Sequence, residues 1–206
     1  MAARSEIDPM AATDRRRLVA SILEEASRIH ERVSQADLAP VVEAADAIAD
    51  AFAGGRKLLV FGNGGSAADA QHLSAELVGR FVGERAALPA IALSTDTSIL
   101  TAVSNDYGYA RGFARQVEAL GRPGDVALAI STSGASANVI AALRVARDRD
   151  LRTVALTGGD GGETGRLVDV HINVPGASTA RTQEVHGTLL HALCVLIEQR
   201  LGAAHV

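Results

Sequence analysis

Four side chains in this sequence are of types that bind metal ions or transfer protons, and they form two pairs. His72 and Glu76 are four residues apart, and Gln183 and His191 are eight apart, so within a helix each pair lies roughly on one face. Two imidazoles, a carboxylate and an amide oxygen are suitable donors for a divalent first-row metal such as zinc. The spacing does not show that the two helices meet, and an ordinary exposed helical pair is the alternative for the first two residues.

A glycine-rich turn precedes the first pair. It follows an apolar run and reads Gly62-Asn63-Gly64-Gly65-Ser66. A helical pattern then starts, with Ser66 in the N-cap position. Glycines let the backbone approach a ligand, and a helix N-terminus presents unpaired N–H groups, so the turn predicts an anion site suited to phosphate. The G-x-G-x-x-A pattern also occurs in dinucleotide folds, but here no acidic residue ends the second strand and no Walker lysine follows. A tight turn with no ligand is the other alternative.

Small hydroxyl-bearing residues recur at the end of a later strand. The loop reads Ser131-Thr132-Ser133-Gly134-Ala135-Ser136, and Ser136 is placed as the N-cap of the next helix. Hydroxyls and backbone N–H groups that converge from such a loop bind phosphate without a lysine. This loop is therefore a second candidate for holding an anion.

Further polar groups stand near these features. Asn105-Asp106 follows a short helix and lies in a loop with glycine and tyrosine, where a simple helix stop is the alternative. Arg80 continues the stripe of the first pair by another turn, although a surface arginine fits the position equally well. Glu184 and His186 are interpreted as solvated groups or as supports for the four donors.

Short apolar runs alternate with helical patterns from residue 57 onward. Strands are predicted over 57–61, 90–93, 125–130, 153–157 and 170–174, and helices over 67–81, 97–104, 109–120, 137–149, 163–167 and 179–201. Short, almost wholly apolar strands separated by helices predict a doubly wound α/β domain of about five parallel strands, covered by helices on both faces. In such sheets, ligands bind at the carboxyl ends of the strands, near the switch in strand order.

Two amphipathic helices, over 13–34 and 37–53, precede the first strand. They are suited either to cover a sheet face or to supply an oligomer interface. Residues 1–12 are predicted to form a flexible tail, and residues 13–206 a single domain that includes the helical pair 13–53.

Composition excludes several classes of protein. The chain is 48% hydrophobic with a formal net charge of -4, so it is globular and has no general attraction to nucleic acid or anionic membrane. Its single cysteine, Cys194, excludes a disulfide scaffold within one chain and suits a reducing compartment. Residues 1–12 contain charges and lack the apolar pattern expected of a signal peptide, and no apolar stretch approaches the ~20 residues needed to span a bilayer. A cytoplasmic location with no nucleic-acid or membrane partner is predicted.

These features together resemble the sugar isomerase (SIS) domain family, and within it the phosphoheptose isomerases. The resemblance covers nearly the whole chain. The segments that carry it are 62–72, 88–96, 104–107, 131–134 and 180–186.

The resemblance implies a homotetramer with active sites between subunits, each holding one Zn²⁺ ion. The implied metal ligands are His72, Glu76, Gln183 and His191. The implied substrate contacts are Asn63, Gly64, Gly65, Glu76, Asn105, Asp106, Ser131, Thr132, Ser133, Ser136 and Gln183.

The family reaction converts sedoheptulose 7-phosphate into D-glycero-D-manno-heptose 7-phosphate, a precursor of heptose-containing surface glycans. Moving the carbonyl from C2 to C1 requires removal of a proton α to the carbonyl, through an enediol intermediate. The resemblance implies that Glu76 transfers this proton and that His191 is the acid or base at the oxygen atoms. A carboxylate bound to a metal is a weaker base, so Glu76 would have to loosen from zinc to react.

Two other functions within the family are alternatives. Relatives that associate with the bacterial replication initiator share both loops but are expected to lack part of the four-donor set, which this chain keeps. Regulatory modules that sense sugar phosphates usually carry a DNA-binding domain, and no such segment is recognisable before residue 57. One departure from the isomerases is Ala135, where asparagine is common, and we expect it to affect only hydrogen bonding in the loop.

Overall fold

The computed structural model describes residues 12–176 and 178–202. The predicted tail over residues 1–12 lies outside this range apart from Ala12, which begins the first helix. The chain divides into two compact units between Ala36 and Asp37. The extent of the domain over 13–206 stays a prediction.

The described part of the first unit contains one helix, α1, which runs from Ala12 to Ser34. The apolar side chains Leu18, Val19, Ile22 and Leu23 along it are exposed. Their spacing of three and four residues gives α1 one apolar stripe, as the sequence pattern predicted.

The second unit alternates helices and strands. Its helices are α2 (Ala39–Ala53), α3 (Gly65–Val78), α4 (Thr97–Tyr107), α5 (Gly112–Leu120), α6 (Ala137–Asp148), α7 (Gly162–Leu167) and α8 (Thr179–Arg200), with a 3₁₀ turn at Tyr109–Arg111. Its strands are β1 (Leu58–Gly62), β2 (Ala90–Ala92), β3 (Val126–Ser131), β4 (Arg152–Gly158) and β5 (Val170–Val174).

The five strands form one sheet in the order β2-β1-β3-β4-β5, and every pair is parallel. β1 and β3 are buried along their whole length because helices cover both faces of the sheet. One face packs on α5 and α6, where Phe61 and Phe113 have ring centroids 5.6 Å apart within a cluster of buried aliphatic side chains. The predicted doubly wound α/β fold with five parallel strands is confirmed.

Helix boundaries differ from the predictions where glycine or proline sets them. α2 starts at Ala39, not at Asp37, because Pro40 occupies its first turn. α4 extends to Tyr107 and stops at Gly108, which has a φ of +83°. The 3₁₀ turn then separates α4 from α5. The helix predicted over 109–120 therefore begins at Gly112, three residues later than predicted.

The last helix, α8, packs against both α2 and α3. This packing brings the helix that carries Gln183 and His191 beside the helix that carries His72 and Glu76, as the metal-site interpretation requires. None of the helices in the described ranges is long and apolar enough to cross a lipid bilayer.

Candidate active site

The candidate site lies where the strand order reverses. β1 and β3 are neighbours, but the chain leaves β1 towards β2 on one side and leaves β3 towards β4 on the other. The loops after these two strands therefore diverge and leave a crevice at the carboxyl edge of the sheet. A cavity of about 300 Å³ occupies this crevice. Its lining consists of residues 63–66 after β1, residues 130–133 and 136 at the end of β3, and Thr179 and Gln183 of α8.

Glycines bring the loop after β1 close to its neighbours. A Cβ on Gly62 would lie 2.6 Å from the carbonyl oxygen of Ile130 on β3. A Cβ on Gly65 would overlap the side-chain amide of Gln183. A larger side chain at either position would push the loop away from β3 or displace the glutamine, so these glycines determine the shape of the cavity.

The prediction that Ser66 caps α3 is wrong. Gly64 occupies the N-cap with a φ of +57°, which other L residues rarely adopt. Its carbonyl oxygen accepts hydrogen bonds from the N–H groups of Ala67 and Ala68 at 3.0 and 3.2 Å. This turn starts the helix earlier than the apolar pattern indicates and buries Ser66 in the first turn. The helix N-terminus still borders the cavity, as the phosphate interpretation of the loop requires.

The side chain of Asn63 is held in one orientation by two partners. Its Nδ2 donates to Oδ1 of Asn138 at 2.9 Å, and Nδ2 of Asn138 donates back to Oδ1 of Asn63 at 2.9 Å. The Tyr109 hydroxyl also donates to this oxygen, at 2.8 Å. Asn138 is buried and was missed by the sequence interpretation, because a polar residue in the first turn of α6 has no distinctive pattern.

The loop after β3 is supported from behind by the start of α7. Gly134 has a φ of +61°, and its carbonyl oxygen accepts a hydrogen bond from the Thr164 N–H at 2.9 Å. The Ser131 and Ser136 hydroxyls lie 3.3 Å apart, so the two ends of the loop meet at the cavity. Ser136 is the N-cap of α6, as predicted, although its hydroxyl makes no capping hydrogen bond.

The residues His72, Glu76 and His191 lie together between α3 and α8. Nε2 of His72 is 2.8 Å from Nε2 of His191 and 3.6 Å from Oε1 of Glu76. Half of the His72 side chain and a quarter of the Glu76 side chain are exposed. In residues 12–176 and 178–202, no three His, Cys, Asp or Glu side chains are arranged as a group that could hold a metal ion.

Gln183 is placed at the cavity and not in this cluster of imidazoles. It contacts Gly65 at the start of α3, two turns before His72, and it lines the cavity with the two loops. It therefore belongs to the cavity, about two helical turns before His191 on α8.

Asn105 and Asp106 do not line the cavity. They lie in the last turn of α4, so their predicted position in a loop is wrong, because the helix continues until Gly108 ends it. Nδ2 of Asn105 donates to Oδ1 of Asp106 at 2.8 Å. Both side chains are exposed.

Arg80 is a surface residue. It lies beyond the end of α3, its Nε is 3.7 Å from Glu84, and 58% of its side chain is exposed. The sequence allowed either an arginine that faces the site or a surface arginine. In the single chain it is a surface arginine.

His186 is fully buried, so its interpretation as a solvated group is wrong. Its Nε2 donates to the carbonyl oxygen of Thr157 at the end of β4, at 3.0 Å. Burial lowers the pKa of His186, and the hydrogen bond to Thr157 opposes this only in part. Glu184, by contrast, is exposed and forms an ion pair with Arg181.

Asp69 lies three residues before His72 on α3. Burial raises the pKa of its carboxyl group, and the neighbouring His72 opposes this shift. One carboxyl oxygen of Asp69 is buried and has no hydrogen-bond partner within the part of the chain that the structure describes.

Comparison with known proteins identifies the family. The SIS domain model matches residues 22–158. The phosphoheptose isomerase of Geotalea daltonii is 58% identical over 175 residues, which cover 84% of this chain and 91% of that protein. The structure of a phosphoheptose isomerase from Neisseria gonorrhoeae matches with a TM-score of 0.85 and 46% identity, over 89% of this chain and 98% of the other. A phosphoheptose isomerase from Francisella tularensis matches with a TM-score of 0.86 and 38% identity, over 92% and 100%. The chain therefore belongs to the SIS domain family, among the phosphoheptose isomerases.

Proposed function

We propose that this protein is an aldose–ketose isomerase that converts sedoheptulose 7-phosphate into D-glycero-D-manno-heptose 7-phosphate. One observation carries the proposal: α3 and α8 together present a His–Glu–His cluster beside a cavity at the switch in strand order. The relatives named phosphoheptose isomerase support the choice of substrate.

The cavity is suited to bind a sugar phosphate. The loop of residues 131–136 offers hydroxyl groups from Ser131, Ser133 and Ser136, and the N-terminus of α3 contributes its positive dipole end. Asn63, held by Asn138, presents a fixed amide to the sugar hydroxyls. We therefore assign phosphate binding chiefly to the serine loop and contacts to the sugar to the loop after β1.

The cluster is suited to transfer the proton. In the proposed reaction Glu76 removes a proton from C1 of the ketose and returns it to C2, through an enediol intermediate. His191 protonates or deprotonates the oxygen atoms at C1 and C2 as the carbonyl moves. Both side chains project from packed helices, which hold a proton-transfer pair more rigidly than loops do.

We further propose that one zinc ion per subunit binds His72, Glu76, Gln183 and His191. All four side chains are of donor types that zinc binds. Within the described residues His72, Glu76 and His191 lie together but are not arranged as a metal group, and Gln183 lies at the cavity, so zinc would have to draw the four side chains together. Bound zinc would polarise the substrate carbonyl and stabilise the negative charge that develops on its oxygen.

We also propose a cytoplasmic homotetramer with active sites between subunits. Two observations support this assembly. The His72 and Glu76 side chains are partly exposed in the single chain, and every residue of α4, which carries Asn105 and Asp106, is at least partly exposed. A neighbouring subunit that covers α4 and the cluster would exclude water from the reacting atoms. The free, buried Cys194 suits a reducing compartment.

The test is to incubate zinc-loaded protein with sedoheptulose 7-phosphate and to follow the aldose by NMR. We expect conversion to the aldose, with stoichiometric zinc in the purified protein. Metal-replete protein that binds heptose phosphates without converting them would refute the enzyme and favour a sugar-phosphate-binding module.

A further inference from the structure

A buried ion pair, Arg85–Glu198, joins the end of α3 to the end of α8. Nε of Arg85 lies 3.0 Å from Oε1 of Glu198, and the side chains are 7% and 0% exposed. Burying two charges is costly unless hydrogen bonds satisfy both groups fully. The role of the pair therefore depends on the other groups to which its two side chains are hydrogen-bonded.

The carboxylate of Glu198 binds the segment that follows α3. It accepts hydrogen bonds from the backbone N–H groups of Phe81, Val82 and Gly83 at 3.0, 3.2 and 2.9 Å. Burial alone would raise the pKa of Glu198, but these N–H groups and the charge of Arg85 outweigh it and lower the pKa. The group is therefore a carboxylate that fixes three consecutive backbone positions.

The guanidinium of Arg85 holds the C-terminal turn of α3. Nη2 donates to the carbonyl oxygen of Glu76 at 2.8 Å, and Nη1 donates to that of Leu77 at 2.8 Å and to that of Gly79 at 3.3 Å. Carbonyl groups in the last turn of a helix have no partner within the helix, so an arginine at this place stabilises it. One of the bound carbonyls belongs to the residue to which we assign proton transfer.

The same pair reaches the imidazoles through Phe81. The Phe81 backbone is bound by Glu198, and its ring packs against the ring of His191 with centroids 5.2 Å apart. His191 in turn lies 2.8 Å from His72. Glu198 is seven residues after His191, two turns further along the same face of α8. Glu76 is thus bonded directly to the ion pair, His191 is connected to it through Phe81, and His72 is connected through His191.

We infer that Arg85 and Glu198 are positioning residues, which hold Glu76 and His191 at the separation that proton transfer and metal binding require. This inference rests on the proposed function, because the cluster has that task only in the isomerase. A purely structural pair would instead affect only the stability of the fold, because its loss leaves backbone groups without partners, and would leave kcat, zinc affinity and the imidazole signals unchanged.

The test uses the double variant Arg85→Met with Glu198→Leu, the single variant Glu198→Gln, and Arg200→Gln as the matched control. Arg200 lies two residues beyond Glu198 on α8, but its ion pairs with Asp46 and Asp50 are exposed. We expect kcat to fall about 100-fold in the double variant while KM changes little, because a misplacement of ~1 Å costs that much. The control should match the wild type.

Two readouts do not depend on turnover. Zinc affinity, measured by competition with a chelator, should fall about tenfold in the double variant, as expected for the loss of ~1.4 kcal/mol of binding free energy. The imidazole NMR signals of His72 and His191 in metal-free protein should shift from their wild-type positions in the double variant and in Glu198→Gln.

The outcomes separate the two proposals. A folded double variant that keeps wild-type kcat, zinc affinity and imidazole signals overturns the positioning role. If the double variant does not fold, the same three measurements on Glu198→Gln decide the question. If the wild type does not isomerise the ketose, the proposed function fails, and the imidazole signals still test whether the ion pair holds the cluster.

Discussion

The two halves of the candidate site are built in different ways. The cavity follows from the strand order, and its closest contacts involve backbone atoms and the glycines after β1 and β3. The His72–Glu76–His191 cluster depends on two helices that pack side by side, and its contacts are between partly exposed side chains. This difference predicts that mutations can change substrate binding without changing proton transfer, and the reverse. Changes around the cavity should affect affinity, and changes in the cluster should affect turnover.

The largest expected effect is on the cluster. Replacing Glu76 with Gln removes the carboxylate that we assign to proton transfer, so kcat should fall by roughly 10²–10⁴-fold, the usual contribution of general acid–base catalysis. The melting temperature and the Kd for the sugar phosphate should stay close to the wild-type values. The measurement is steady-state kinetics together with calorimetric binding. Glu163→Gln, which changes an exposed carboxylate on α7, is the control. A Glu76→Gln enzyme with wild-type kcat would remove Glu76 from the mechanism.

A smaller effect is expected at the cavity. In Gly65→Ala the new methyl group overlaps the side-chain amide of Gln183, which has to move. At saturating zinc, which offsets the weakened Gln183 ligand, we expect KM to rise about tenfold, as for the loss of one hydrogen bond worth ~1.4 kcal/mol, with a much smaller change in kcat. The measurement is the separate determination of the two constants.

Gly112→Ala is the matched control for this glycine. Gly112 belongs to α5 and does not line the cavity, and a Cβ there makes only an ordinary contact of 3.8 Å with Leu100. Alanine is favoured over glycine inside a helix by about 1 kcal/mol, so this variant should unfold at a slightly higher temperature. Equal losses of activity in the two variants would contradict the assignment of Gly65 to the cavity.

Asn138→Ala should raise KM by less than Gly65→Ala does. The variant leaves the half-buried Asn63 amide with only the Tyr109 hydroxyl as a partner, and the loss of a hydrogen bond costs ~1 kcal/mol. We expect KM to rise about fivefold, with kcat almost unchanged. Kinetic measurement of the variant against the wild type tests this, and a fall confined to kcat would place Asn63 with the cluster instead of the cavity.

The same division governs how much of the molecule could be predicted from sequence. The fold was predictable because its strands are short apolar runs bounded by helices, and the match of β3 to residues 125–130 is within one residue. Residues 63–66 and 131–136 were placed at the strand ends for the same local reason. The pairing of His72 with Glu76 followed from helical spacing alone.

Contacts between distant elements could not be predicted. Helical spacing does not state which helix α3 packs on, so the approach of His72 to His191 required the structure. The burial of His186 and the backbone conformation of Gly64 were also missed, because each depends on a neighbour far along the chain or on a φ that no pattern encodes. Asn105 and Asp106 were placed in a loop because both residues favour turns, but Gly108 is the residue that ends α4.

The smallest expected effect is on the pH dependence of stability. It comes from His186 on α8, the helix that carries residues of both halves of the site. Burial lowers the pKa of His186 below its unfolded value, so the unfolded chain takes up a proton first as the pH falls. Stability is therefore fully present above pH ~6.5 and is lost as the pH falls below it, by at most ~1.4 kcal/mol per pH unit for one histidine. His186→Gln should lose less stability than the wild type between pH 7 and 5.5 in urea unfolding. Parallel losses in the two proteins would contradict this.

The most direct test of the account is the isomerisation of sedoheptulose 7-phosphate in D₂O by the zinc-loaded enzyme. While the enediol exists, the proton that Glu76 removes is held on a carboxyl oxygen, an acidic position whose hydrogen exchanges with D₂O before it returns to the sugar. The account predicts aldose that carries deuterium at C2 from the wild type, and product formation and exchange that are both slowed by roughly 10²–10⁴-fold in Glu76→Gln. Aldose without deuterium at C2, or exchange at the wild-type rate in Glu76→Gln, would contradict proton transfer by this carboxylate.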